Sequence, residues 1–222
     1  MRPQDNWGKV APASGRPPLS GDIDALVRVF RKIVLLSALL LGACAALMPA
    51  GGDPRAPLLG PQQRLALPRP ADLGRRVEAA QLITARRDGE TFVFEGRVSV
   101  TPERFVLAGL DTLGRRAMTI TWTDSGVEVE TAPWLPEGVR PGAMLADLVV
   151  LYWPEAAVRK ALAPAGAELV ADATSRTVRA GGRDLLRATY GWTAGGPWTG
   201  TLRYANLAWG YEIEVQSQEV AP

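Results

Sequence analysis

Histidine is absent from these 222 residues, and cysteine occurs once, as Cys44. Without imidazole there is no histidine general base, no Ser-His-Asp or Cys-His nucleophile pair, and no histidine-based zinc site. A single thiol excludes an intramolecular disulfide framework. Carboxylates, tyrosines and arginines remain for chemistry, and no motif gathers them. The chain reads as a non-enzyme with no metal and no cofactor. Lysine is also scarce: of three, only Lys160 follows Cys44, and every other base beyond that point is an arginine.

The formal net charge is +2. Residues 1–43 carry six basic and three acidic side chains, which leaves 19 basic against 20 acidic in the rest. The positive excess sits ahead of Cys44, so the remainder offers no electrostatic footprint for nucleic acid.

From Ile33 to Met48 the chain reads IVLLSALLLGACAALM, uncharged and polar only at Ser37. A bilayer-spanning helix needs about 20 residues, which this run lacks. Arg28, Arg31 and Lys32 precede it and small residues end it, the order of a secretory signal over residues 1–43. Its end, Leu41-Gly42-Ala43-Cys44, resembles the lipobox of bacterial lipoproteins. That resemblance implies that Gly42 and Ala43 fit small peptidase subsites and that the Cys44 thiol takes a diacylglyceryl group. Acyl chains of the palmitate type, at ~0.8 kcal/mol per buried CH₂, would then anchor the chain. Ala45, in place of the aspartate that retains lipoproteins at the inner membrane, implies the outer membrane, facing the periplasm. Residues 1–26 are polar and rich in Pro and Gly, an unusual prefix for a signal, and translation is expected to start at Val27 or Val29.

Residues 44–64 are rich in Pro, Gly and Ala and read as a lipidated flexible tether. The folded domain is expected over 65–218, where the pattern turns to period two. Phe92, Phe94, Val98 and Val100 alternate with polar residues, as do Met118, Ile120 and Trp122, then Val127 and Val129, and later Leu186 to Trp192 and Trp209 to Val215. Asp88-Gly89, Thr101-Pro102-Glu103 and Asp124-Ser125-Gly126 are turn signals between antiparallel strands. Pro141 opens a helical stripe of Met144, Leu145, Leu148, Val149 and Tyr152; Trp153-Pro154 breaks it, and a second short helix starts at Glu155. The expected fold is mainly β, about ten strands with two short helices.

A sheet of this size with one apolar face must curl and be covered. Two short helices cap an opening more readily than they fill a barrel. The aromatic residues on the apolar face then form either an ordinary core or the lining of a cavity for a long hydrophobic molecule. On the cavity reading the helix contributes Leu145, Leu148, Val149 and Tyr152, and the sheet Phe94, Met118, Ile120, Trp122, Tyr190, Trp192, Trp198 and Trp209.

Val106-Leu107-Ala108-Gly109-Leu110 with Leu113-Gly114-Arg115-Arg116, Leu145-Ala146-Asp147-Leu148 running to Tyr152-Trp153-Pro154, and Asn206 with Gly210-Tyr211 resemble a group of outer-membrane lipoproteins of unassigned function. That group is related to LolA and LolB, the lipoprotein carrier and its outer-membrane acceptor. The resemblance implies a half-open antiparallel barrel with a helical lid over an apolar cavity. The cavity would hold lipid or lipoprotein acyl chains, and a periplasmic carrier protein would be a partner. It also implies proximity to genes for aryl polyene lipids. LolB inserts its cargo with a protruding apolar loop, whereas the turns at Asp88-Gly89 and Thr101-Pro102-Glu103 are polar.

Three functions compete. The first is a lipid-anchored carrier or acceptor of a hydrophobic cargo. The second is a non-enzymatic scaffold that binds a protein partner through Trp134 and Leu135. The third is a carboxylate hydrolase using Glu128 and Glu130, which more often form a solvated strand face. Asp147 is expected to face solvent on its helix.

Overall fold

The computed structural model describes Asp53 and residues 55–136, 138–193 and 196–220. The signal segment 1–43, with Leu41, Gly42 and Ala43, and the attachment residue Cys44 lie outside the described residues. Two short strands, β1 (Leu58–Gly60) and β2 (Gln63–Arg64), precede the main body. The expected tether therefore ends early. Leu59 and Leu65 are fully buried, because their side chains join the core as soon as the chain leaves the Pro/Gly-rich stretch.

Ten strands form one antiparallel sheet. They are β3 (Val77–Arg87), β4 (Glu90–Val100), β5 (Arg104–Leu110), β6 (Arg116–Thr123), β7 (Gly126–Thr131), β8 (Ala167–Ala171), β9 (Ser175–Ala180), β10 (Arg183–Trp192), β11 (Gly200–Asn206) and β12 (Tyr211–Glu219). Their spatial order is 7-6-5-4-3-12-11-10-9-8, so two meanders meet at β3 and β12, and the edges β7 and β8 do not close on each other. Two-residue turns set the register where the chain allows positive φ: Asp88 and Gly89 (φ 52° and 81°) join β3 to β4, and Gly181 and Gly182 (φ 57° and 74°) join β9 to β10. Trp198 and Trp209 lie in turns just ahead of β11 and β12, not inside strands as their alternation suggested, since the ladders begin at Gly200 and Tyr211.

The chain leaves the sheet at one edge and rejoins it at the other. The connection, α1 (Pro141–Tyr152) and α2 (Glu155–Leu162), therefore crosses the sheet's apolar face. Pro141 supplies the first turn's φ without wasting a donor, and Trp153-Pro154 ends the helix. α1 is apolar all round, and ten of its twelve residues are buried. It is the covering element that was expected, and it is also the centre of the core. Its last carbonyls are capped from the sheet: Arg176 Nη1 donates to Val150 O (2.6 Å) and Trp153 O (2.9 Å), and Tyr190 Oη to Leu151 O (3.1 Å). A cation at a helix C-terminus satisfies orphan carbonyls and the dipole together.

The N-terminus of α1 is held differently. A Cβ on Gly142 would collide with the Ala56 carbonyl, because the segment leading into β1 lies directly against the helix start. Alanine favours helix formation by about 1 kcal/mol over glycine. Here backbone crowding outweighs that gain, and Gly142→Ala is expected to destabilise the fold by about 1–3 kcal/mol. Urea unfolding followed by tryptophan fluorescence measures it; an unchanged or raised midpoint contradicts this account.

Candidate functional site

The inner face of the sheet is divided along the strands. One transverse row, Val77–Val100–Phe105–Trp122, is packed solid: Trp153 lies 5.4 Å from Trp122 and 6.0 Å from Phe105, centroid to centroid. A second row, Leu202–Val215–Ile83–Phe94, crosses β11, β12, β3 and β4 about 20 Å further along β3 at ~3.4 Å per residue. That row is not filled. Between it and α1 lies a cavity of about 700 Å³, within the range of roughly 300–1,000 Å³ typical of ligand sites.

Arg87, Asp88, Asp111 and Trp134 stand at its mouth, and Gln81 and Tyr152 at its inner end. Arg87 to Gln81 is six residues of β3, about 20 Å, and Arg140 to Tyr152 along α1 is about 18 Å. Both tryptophans at the mouth carry a guanidinium over the ring, Arg115 on Trp134 at 4.8 Å and Arg140 on Trp209 at 4.6 Å. Leu113 projects from the neighbouring β5–β6 turn, 78% exposed, while Asp111 Oδ1 accepts from the backbone N–H of Leu113 (3.0 Å) and Arg115 (2.8 Å). This turn carries the apolar tip that the two polar turns lack.

The sequence-derived residues divide accordingly. Phe94, Met118, Trp209, Leu148 and Tyr152 line the cavity. Leu145 and Val149 do not, because they face the filled side of α1 and are fully buried there. Ile120 and Trp122 belong to the packed half. Tyr190, Trp192 and Trp198 form the layer under the floor: Trp198 stacks on Tyr152 at 4.1 Å, and Tyr190 packs against Trp192 with tilted rings at 3.9 Å. Ile83, Leu107, Leu202, Ile213 and Val215 complete the wall and were not singled out. The strand register was the missing signal, since it places each beside a residue that was. Trp134 stands at the mouth, Leu135 is half-buried against the core, and Glu128 and Glu130 point outward from the edge strand β7.

One polar cluster interrupts this apolar interior. Asp147 does not face solvent; it is fully buried. α1 is apolar all round, so no face was available to turn it outward. Asn206 Nδ2 donates to Asp147 Oδ1 (3.0 Å) and to Leu59 O (3.2 Å), and Asn206 Oδ1 accepts from Trp209 N (3.1 Å). The Tyr211 hydroxyl donates to Asp147 Oδ2. Burial pushes the carboxyl up to about 7, against the pull of Tyr211, Asn206 and Tyr204, and no cation acts on it. Burial and the nearby carboxylate hold the Tyr204 and Tyr211 hydroxyls well above the usual range. These two tyrosines also line the cavity.

Residues 78–219 match the profile of a family described as a protein of unknown function, DUF3261. The span runs from β3 to the end of β12 and takes in the whole ten-stranded sheet, both helices and the Asp147 cluster. No curated protein matches the chain. Among solved structures it is similar to the crystal structure of a LolA superfamily protein from Nitrosomonas europaea, 11% identical, with a TM-score of 0.38, over 69% of this chain and 91% of that one.

The buried carboxyl sets a pH dependence. Its folded value lies above the ordinary 3.8, so the folded state binds more protons between about pH 4 and 7. The associated stability is complete below pH 4 and is lost as pH rises through 7, on the order of 4 kcal/mol in all. Asp147→Asn keeps the neutral acid's hydrogen bonds and removes this slope. Urea midpoints measured at pH 4.5 and 8 should therefore fall clearly between the two for wild type and stay nearly level for the variant; parallel profiles refute the assignment.

Proposed function

We propose a lipid-holding role for this chain, which belongs to the DUF3261 family of proteins of unknown function. The cavity carries the reading. It extends along β3 and α1 and is mostly apolar along its walls, with its charged lining groups at the mouth. Its depth of about 18–20 Å suits one lipid chain, whose length is about half the ~30 Å hydrocarbon core of a bilayer. Burying ~14 methylenes at ~0.8 kcal/mol each yields roughly 11 kcal/mol before the costs of association. Hydrocarbon uptake is thereby favoured without any chemistry.

Leu41-Gly42-Ala43-Cys44 supports a lipid-anchored protein at the outer membrane, facing the periplasm, where the cavity would accept an acyl chain of a lipid or lipoprotein from a periplasmic carrier. The exposed Leu113 beside the mouth supports a LolB-like mode, in which an apolar tip enters the membrane as cargo passes. The resemblance to lipoproteins found near aryl polyene genes makes an aryl polyene lipid one specific cargo. Glu128 and Glu130 stand apart from the cavity, which leaves a hydrolytic role without a site.

Leu148 lines the cavity without being fully enclosed by the core, so Leu148→Glu should charge the wall and leave the fold standing. Mass spectrometry of lipids extracted from the purified full-length protein should show a loss of tenfold or more, at unchanged thermal midpoint. Undiminished lipid counts against the cavity, and a stable crosslinked protein partner with an empty cavity favours the scaffold reading. For the anchor, Cys44→Ser should abolish incorporation of labelled palmitate and release the protein from the membrane fraction. Continued labelling refutes attachment at Cys44.

A further inference from the structure

The inner end of the cavity differs chemically from its walls. Gln81 is 2% exposed and sits on β3 where the alternation calls for an apolar residue, between Ala79 and Ile83. Its Nε2 donates to Tyr152 Oη (3.0 Å) and Ser217 Oγ (3.1 Å), so both amide hydrogens are used. The Oε1 of the same carboxamide accepts nothing from any described residue. It is also not among the fully enclosed unpartnered atoms, which are Thr119 Oγ1 and Trp198 Nε1. It therefore borders open space, and Gln81 lines both the cavity and a shallower pocket shared with Glu95, Gln216 and Ser217. Because Nε2 reaches Tyr152 on α1, the carboxamide lies on the helix side of the sheet, and Gln81 and Tyr152 both line the cavity there.

An apolar chain end pressed against this group would leave a buried acceptor unpaired, which costs far more than the hydrogen bond itself would contribute. The three polar side chains, Gln81, Tyr152 and Ser217, are all uncharged. Burial keeps the Tyr152 hydroxyl protonated, pushing it up to about 12. Among the described residues no arginine or lysine lines the inner end; Arg87 is at the mouth, about 20 Å away along β3, and Arg140 stands there at the start of α1. A carboxylate or phosphate brought to the floor would be desolvated without a counter-charge.

We infer that the floor is a hydrogen-bonding subsite for an uncharged donor, so that the ligand is a hydrocarbon chain whose innermost end carries a hydroxyl or amide N–H, received by Gln81 Oε1. The inference rests on the lipid-holding reading and names the ligand class for that same cavity. Gln81 is then the specificity-determining residue, and Tyr152 and Ser217 are positioning residues that fix the carboxamide's orientation.

The test compares two probes of one chain length, 1-hexadecanol and hexadecane, partitioning from detergent micelles into the full-length protein. Binding is measured for wild type and for Gln81→Leu, with Gln81→Met as a second variant of similar length should the first fail to fold. The quantity of interest is the hexadecanol-to-hexadecane affinity ratio in wild type divided by that in the variant, which cancels micelle partitioning and any general change in packing. One hydrogen bond to a buried acceptor predicts a quotient of about five to ten. A quotient of one, with both probes bound, overturns the subsite and leaves the lipid-holding reading intact. If neither probe binds wild type, both readings fall.

Discussion

The hydrogen bond from Asn206 to Asp147 holds this fold in its working arrangement. It joins α1 to the turn between β11 and β12, and the same amide reaches β1 through Leu59 O. Three segments far apart in sequence are thus fixed by one side chain, each of whose polar atoms is used. The alternative anchor, an arginine on Asp147, would have placed a second charge in the core at a larger desolvation cost. With neutral partners, burial pushes the acid up to about 7, so less charge is buried as the pH falls below that value.

The topology explains why such an anchor is needed. Every pairing in the ten-stranded sheet joins sequence neighbours except that of β3 with β12, and the long connection from β7 to β8 runs between the two sheet edges. That connection has one course, across the apolar face, and α1 is apolar on every side because it meets the sheet below and the strands that rise around it. A single helix is too slim to occupy the whole interior. At its C-terminal end Trp153, Phe105 and Trp122 make up the volume. Along the helix itself, from Arg140 to Tyr152, the lining side chains stand back from it and the space stays open. Aromatic core and cavity, which the sequence presents as competing interpretations, occupy different lengths of the same interior.

Strands and helices were legible because their signals are local. Alternation, Asp-Gly turns and Pro141 act over a few residues, and β4, β6, β7, β10 and the start of α1 lie where those signals place them. The cavity wall was half legible. Phe94 and Met118 stand out as large apolar residues on alternating strands, but Ile83, Val215 and Leu202 acquire their role only through cross-strand register, a non-local quantity. Asp147 was misread for a related reason. A carboxylate on a helix is ordinarily solvated, and only its spatial partners, 59 and 64 residues away at Asn206 and Tyr211, make burial tolerable. The motif fragments around Asp147, Asn206 and Tyr211 were visible separately, and the structure supplies the reason they occur together.

The anchor and the cavity share a wall. Tyr211 donates to Asp147, Tyr204 meets Tyr211 edge-on with ring centroids 6.4 Å apart, and both rings border the open volume. Whatever occupies that volume replaces water at the tyrosines and lowers the local polarity around the acid. Ionisation of Asp147 then becomes harder, and by linkage a neutral Asp147 favours occupation. The protonation of one carboxyl and the filling of the cavity are consequently linked. The coupling passes through two tyrosine rings and requires no movement of the sheet.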